Sequence, residues 1–125
     1  MFIADACALL AFFGAGDSAM GSAGMNAMRG DVGVSPITVW ELTRKAASGK
    51  LPPLPTSRGS FALHLVALGF RDLPLLWGDA EAANALPPHH RDPMDRMLIA
   101  TALRGDLTVI TSDSVFAAYG VRVVW

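Results

Sequence analysis

Asp92-Pro93-Met94-Asp95-Arg96-Met97-Leu98-Ile99-Ala100-Thr101-Ala102-Leu103-Arg104-Gly105-Asp106-Leu107-Thr108-Val109-Ile110-Thr111-Ser112-Asp113 reads as a helix, a turn and a strand in direct succession. Asp-Pro is a helix start: the acid caps, and proline at the first helical position lacks only an N–H that would have no partner anyway. The helix is expected to run to Leu103, with Gly105 as its C-cap, since glycine takes the left-handed backbone found there. Leu107–Thr111, rich in β-branched residues, is strand-like, and Asp113 follows it closely. Asp95 heads the apolar line Ile99 and Ala102, so it points toward an interior edge.

Working outward, the same alternation fills the chain. Phe2-Ile3-Ala4 is a short buried strand closed by Asp5, and Ala6–Phe13 is a helix that follows at once. Gly14-Ala15-Gly16 breaks it, and Asp17 or Ser18 is expected to cap a second helix through about Arg29. Val32–Val34 is a strand candidate, and Ser35-Pro36 opens a helix that carries Trp40 and Glu41 and ends near Gly49. Leu51-Pro52-Pro53-Leu54-Pro55 is a stiff linker, after which Thr56 is expected to open a helix toward Gly69. Arg71–Leu75 reads as a strand, Asp79–Leu86 as a helix stopped by Pro87-Pro88, Val115–Tyr119 as a short helix and Val121–Val124 as the last strand. The order predicts one α/β domain over residues 1–125, a central and mostly parallel β-sheet flanked by helices. Such sheets bind ligands beyond the carboxyl ends of their strands, which is where Asp5 and Asp113 fall.

Composition narrows the classes. Hydrophobic residues make up 52% and charged residues 17% of the 125, with a mean hydropathy of +0.39. That is rich for a lone soluble domain and predicts apolar surface that seeks a partner. Apolar stretches such as Ala6–Phe13 are too short for the roughly 20 residues of a spanning helix, so no membrane role is expected. Met1–Asp5 lacks the basic start of a secretory signal. The single cysteine, Cys7, excludes an internal disulfide framework, and the expected location is the cytoplasm. A net charge of −1 argues against a nucleic-acid coat protein. With Asp5, Glu41, Asp92, Asp95 and Asp113 masked by cations, however, ten Lys and Arg face the six remaining acids, and a polyanionic substrate stays open.

Those five carboxylates carry the chemistry. Each also has a plain structural use: Asp5, Asp92 and Asp113 as helix caps, Asp95 near a helix dipole, Glu41 as a surface acid. Their joint placement at element ends argues for a common site. Oxygen ligands without a matching basic cluster call for a hard cation, Mg²⁺ or Mn²⁺, and such sites suit phosphoryl chemistry. Asp5, Asp92, Asp95 and Asp113 are the candidate metal ligands, and Asp5, Glu41, Asp95 and Asp113 the candidate catalytic set. Arg44, Lys45, Arg91 and Arg96 are ordinary solvated charges by default, with phosphate contact as their functional reading. Cys7 reads as a small buried hydrophobe. His89-His90 lacks the spaced partners of a zinc site and reads as a solvated loop touching phosphate with Arg91.

The chain resembles the PIN-domain ribonucleases over essentially its whole length, and more narrowly the VapC-type toxins of bacterial toxin–antitoxin modules. Ile3-Ala4-Asp5 with Ala8-Leu9-Leu10 looks like the family's opening strand and acid. Ser35–Leu42 with Lys45 and Gly49-Lys50-Leu51 is similar to its second-acid helix. Leu86-Pro87-Pro88-His89-His90-Arg91-Asp92-Pro93-Met94-Asp95-Arg96-Met97-Leu98-Ile99-Ala100 is the most specific match, and Leu107–Asp113 with Tyr119-Gly120-Val121 completes the order. The resemblance implies an Mg²⁺- or Mn²⁺-dependent endoribonuclease whose site is blocked by a VapB-like antitoxin from the same operon. One departure is Asp5-Ala6-Cys7, where the family usually has a polar residue directly after the first acid; a hydrogen bond that would orient a ligand carboxylate is lost.

Two rival phosphoryl enzymes fail on residues. A haloacid-dehalogenase-like phosphatase needs a second Asp where Cys7 stands, and a receiver domain needs a late lysine that is missing. A non-catalytic PIN-fold interaction module is the alternative from another class. The expected chemistry is attack by a metal-activated water on RNA, leaving 5′-phosphate and 3′-hydroxyl ends. The expected assembly is a homodimer through faces bearing Phe12, Phe13 and Trp40, joined by an antitoxin helix in an apolar groove.

Overall fold

A computed structural model describes residues 1–16 and 19–125. Five short strands, β1 (Phe2–Ala4), β2 (Val32–Val34), β3 (Arg71–Asp72), β4 (Thr108–Ile110) and β5 (Arg122–Val124), form one sheet in the order β3-β2-β1-β4-β5. Every pairing is parallel. The order reverses direction between β2-β1 and β1-β4, so β1 and β4 flank the switch point where the sheet splays its connections. Ala4 is level with Val34 on one side and Ile110 on the other. Asp5, Ser35 and Thr111, the next residues of the three strands, therefore emerge side by side at one edge.

The central strands β1 and β2 and the inner part of β4 are apolar because both of their faces are covered, while the edge strands β3 and β5 carry exposed charges. Alternate side chains divide between two cores. Ala4, Val34 and Ile110 point to the face covered by α1 (Ala6–Phe12), α2 (Ser22–Met28) and α4 (Phe61–Ala67), with Leu9, Met28, Phe61 and Leu65 buried there. Ile3 and Val109 point to the other, against Leu98, Ile99 and Ala102 of α6 (Pro93–Gly105) and Phe116 of a 3₁₀ turn, Ser114–Tyr119. The helices α3 (Pro36–Ala47) and α5 (Trp77–Ala85) complete the fold, α5 packing along α6. On β2, Gly33 is required: a Cβ there would come within 2.2 Å of Leu73.

Local chemistry moves several expected boundaries. The second helix begins at Ser22, with Gly21 as its N-cap; the cap expected at Asp17 or Ser18 lies outside the described residues. The helix expected from Thr56 starts at Phe61, because Ser57 and Ser60 exchange backbone hydrogen bonds across Arg58 and Gly59, both at positive φ. Ser60 then caps α4 through the Leu63 N–H at 3.1 Å. The third strand stops at Asp72, short of the expected Leu75, before Pro74 with its missing N–H. Gly105 is the last residue of α6, and the left-handed cap falls one residue later on Asp106, φ 49°. No helix among the described residues is long and apolar enough to cross a membrane.

Candidate functional site

Asp5 is set by the first turn of α1. Its Oδ1 accepts the Ala8 N–H at 2.8 Å, so the acid that closes β1 also caps the next helix. It is buried, and burial pushes its carboxyl up to about 6 against the pull of hydrogen bonds from Thr111 and Ala8, with Glu41 and Asp113 adding repulsion. Capping and site membership are thus one placement, since the N-cap of a helix that follows a central strand lies at the sheet's carboxyl edge.

Asp92 and Pro93 open α6 as expected, Asp92 Oδ1 accepting the Met94 N–H at 2.9 Å. Asp95, one turn in, is half-buried, and its carboxyl is pushed up to about 7, chiefly by burial and then by Asp92, with Glu41 and Asp5 contributing. Asp113 caps the 3₁₀ turn with Oδ1, which accepts the Val115 N–H at 2.9 Å, and turns Oδ2 toward His90. That Oδ2 and Asp95 Oδ2 lie 2.9 and 3.0 Å from His90 Nε2, and His90, Asp95 and Asp113 each bring one ligand atom within 4.8 Å of the others. Glu41 reaches the same field from α3 with its carboxylate held by Lys45 Nζ at 2.8 Å; that bond, ahead of any other effect, raises the lysine.

The basic residues fall into different roles. Arg44 is exposed and stacks over the Trp40 ring at 5.3 Å. Arg91 is exposed on the loop before α6. Arg96 does not present a free guanidinium to substrate: Nη1 donates to the carbonyls of Pro87 and His90, and Nη2 to that of Leu86. Arg96 thereby clamps the 86–90 loop.

Two further expectations change. Cys7 is exposed, because the second residue of α1 turns outward at the pocket edge; its thiol is pushed up first by partial burial and then by the nearby Asp5. His90 is not a solvated loop residue. Its ring lies edge-on to Phe116, with centroids 5.9 Å apart, and its Nε2 fills the space between Asp95 and Asp113. The signal in the sequence was its position two residues before the cap of α6, which brings the imidazole Nδ1 back to the Asp92 N–H at 3.2 Å.

Phe12 and Phe13 are half-buried, edge-on to Phe70 and Phe61 at 5.6 and 6.1 Å. Trp40 remains 54% exposed, beside an apolar groove of about 330 Å³ lined by Val34, Val39, Leu65, Val66 and Phe70.

The chain belongs to the PIN domain family, whose model matches residues 2–121. Among solved structures, FitAcB from Neisseria gonorrhoeae is similar at a TM-score of 0.68 and 23% identity, covering 100% of this chain and 97% of that one. A toxin-antitoxin complex from Klebsiella pneumoniae is similar at a TM-score of 0.68 and 20% identity, with the same coverage of 100% and 97%. VapBC2 from Rickettsia felis, bound to a DNA fragment from their promoter, follows at a TM-score of 0.64 and 10% identity, covering 98% and 97%. These likenesses establish the shared fold. No curated protein matches the chain in sequence.

Proposed function

We propose that the chain is a Mg²⁺- or Mn²⁺-dependent endoribonuclease acting as the toxin of a toxin–antitoxin pair. The observation that carries the reading is the approach of Asp95 and Asp113 to within 4.8 Å of each other, with Asp5 near enough to affect Asp95 and be affected by Asp113, and with Asp5 and Asp95 pushed up to about 6 and about 7. Carboxylates whose charge is disfavoured first by burial and then by neighbouring acids are stabilised by a cation, and a set of hard oxygen donors fits Mg²⁺ or Mn²⁺. In this reading Asp5, Asp95 and Asp113 hold the ion, and Glu41 and Asp92 act through water or a second ion. A bound ion supplies a water of lowered pKa and neutralises charge on the phosphoryl oxygens. The chain's own residues do the rest. Lys45 orients Glu41, and Arg44, Lys45 and Arg91 offer positive charge to the RNA backbone along one rim.

The partner follows from the other side of α3. The groove beside Trp40 suits the apolar face of a helix, and two of the similar structures are a toxin-antitoxin complex and VapBC2. An antitoxin helix there would bring an Arg side chain within reach of the acids, supplying a cation in place of the metal. A homodimer through the remaining apolar surface, including Trp40, completes the proposed assembly.

The test is cleavage of a structured RNA by the purified chain. Chelator should stop it, Mg²⁺ or Mn²⁺ should restore it, and the products should carry 5′-phosphate and 3′-hydroxyl ends. Products ending in a 2′,3′-cyclic phosphate contradict the mechanism. Binding of a small antitoxin with no cleavage under any metal, together with a melting temperature indifferent to metal, selects the non-catalytic interaction module instead.

A further inference from the structure

His90 stands where a cation is wanted, and its hydrogen bonds decide what it does there. The Asp92 backbone N–H points at Nδ1 from 3.2 Å, and a backbone N–H can only donate. Nδ1 therefore offers its lone pair, and the hydrogen of the neutral ring is on Nε2. That hydrogen is donated to Asp113 Oδ2 at 2.9 Å, and Asp95 Oδ2 lies 3.0 Å from the same nitrogen. A nitrogen that carries a hydrogen has no lone pair for a metal. The rest of the residue is pinned: its N–H donates to the Tyr119 hydroxyl at 2.6 Å, its carbonyl accepts from Arg96 at 3.1 Å, and Phe116 packs edge-on to the ring.

Resting on the metal-dependent reading above, we infer that His90 is a plug that competes with the divalent cation for Asp95 and Asp113, and is not a ligand of that cation. Its Nε2–H is donated to Asp113, and the same nitrogen sits against Asp95 Oδ2, so the ring edge occupies the space between the two carboxylates when no ion is bound. An ion taken by the same two oxygens has to displace that hydrogen, which requires the ring to turn away from the Asp92 N–H. The loop between Pro87 and Asp92, held by Arg96 and Tyr119, thereby sets how readily the site loads.

Isothermal titration of Mn²⁺ into the wild-type chain, His90→Ala and Asp113→Asn separates the possibilities. Removal of a competing hydrogen bond to a charged oxygen should tighten Mn²⁺ binding about tenfold in His90→Ala, while Asp113→Asn weakens it. Nitrogen-resolved NMR of the wild-type imidazoles, which depends on no variant, should find one ring with its hydrogen on Nε2 in metal-free protein and lose that signal's hydrogen-bonded environment on addition of Mg²⁺. Weaker or unchanged binding in His90→Ala overturns the plug while leaving the metal site intact, as does a metal-free His90 ring protonated on Nδ1 alone. A wild-type chain that takes up no Mn²⁺ overturns both the plug and the metal-dependent reading.

Discussion

The Tyr119 hydroxyl accepts the backbone N–H of His90 at 2.6 Å and donates its own proton to the Pro87 carbonyl at 2.8 Å. One side chain from the end of the 3₁₀ turn thus satisfies a donor and an acceptor of the loop that precedes α6. Tyr119→Phe leaves both backbone groups without that partner and should cost about 1–2 kcal/mol in urea denaturation. Amide exchange at His90 should quicken at the same time. A variant as stable as the wild type, with His90 exchange unchanged, would show that the loop does not depend on this contact.

The acid pocket gives the metal-free protein a pH dependence of defined sign. Asp5 and Asp95 titrate at about 6 and about 7 in the fold, first because burial disfavours their charge, against 3.8 for an ordinary Asp. The folded state therefore binds their protons more tightly than the unfolded chain does. Their contribution to stability is complete below pH 3.8 and is lost as pH rises through about 6 and about 7. Without divalent metal the melting temperature should fall by about 5 °C or more between roughly pH 5 and pH 8. Saturating Mg²⁺ should flatten or reverse that slope. A flat profile in the presence of chelator would count against the crowding.

Asp95→Asn keeps the shape and removes one charge from the most perturbed carboxylate. RNA cleavage should fall at least about 100-fold, because a ligand oxygen is lost where charge must be held. In the absence of metal the same variant should be more stable than the wild type at neutral pH, since a buried charge is removed and, with it, the repulsion from Asp92, Glu41 and Asp5. Loss of stability together with loss of activity would point to a folding defect instead.

Lys45→Ala removes the partner of Glu41 and one positive charge from the proposed RNA rim. Binding to RNA should weaken evenly across sequences, and the slope of log affinity against log salt should drop by about one. A sequence-specific loss, measured over several RNA oligonucleotides, would assign the lysine to base recognition.

Away from the pocket, Asp79 is buried and holds Arg104 with Nε at 2.7 Å from Oδ1 while accepting the Leu76 N–H at 2.9 Å. This pair ties the start of α5 to the end of α6. Arg104→Ala leaves the carboxylate without its cation and should destabilise the fold by about 2 kcal/mol, with no effect on metal affinity. Asp79→Asn in the same background should recover part of that loss, because the buried charge is then gone.

The legible parts of the fold are those where local chemistry and burial agree. Ser35-Pro36 and Asp92-Pro93 are helix starts in the sequence and in the structure, the side chains of Ser35 and Asp92 capping in both cases. The uniformly apolar β1, β2 and β4 announced strands covered on both faces. Thr56, Leu75 and Gly105 misled because each was judged by its own propensity. The actual boundaries came from a Ser57–Ser60 turn, from Pro74 and from Asp106 accepting the left-handed backbone next to Arg122, 3.1 Å away.

What the sequence determined by itself was the alternation of elements and the attachment of Asp5 and Asp113 to strand ends, since apolar runs, prolines and caps act over a few residues. Only the tertiary structure decided which groups meet in the pocket. The strand order puts β1 beside β4, and with them residues more than a hundred positions apart in sequence. The fold turned Cys7 outward, committed Arg96 to three loop carbonyls and inserted His90 between Asp95 and Asp113. The placement of His90 also depends on packing against Phe116 and on the Tyr119 hydroxyl, both distant in sequence.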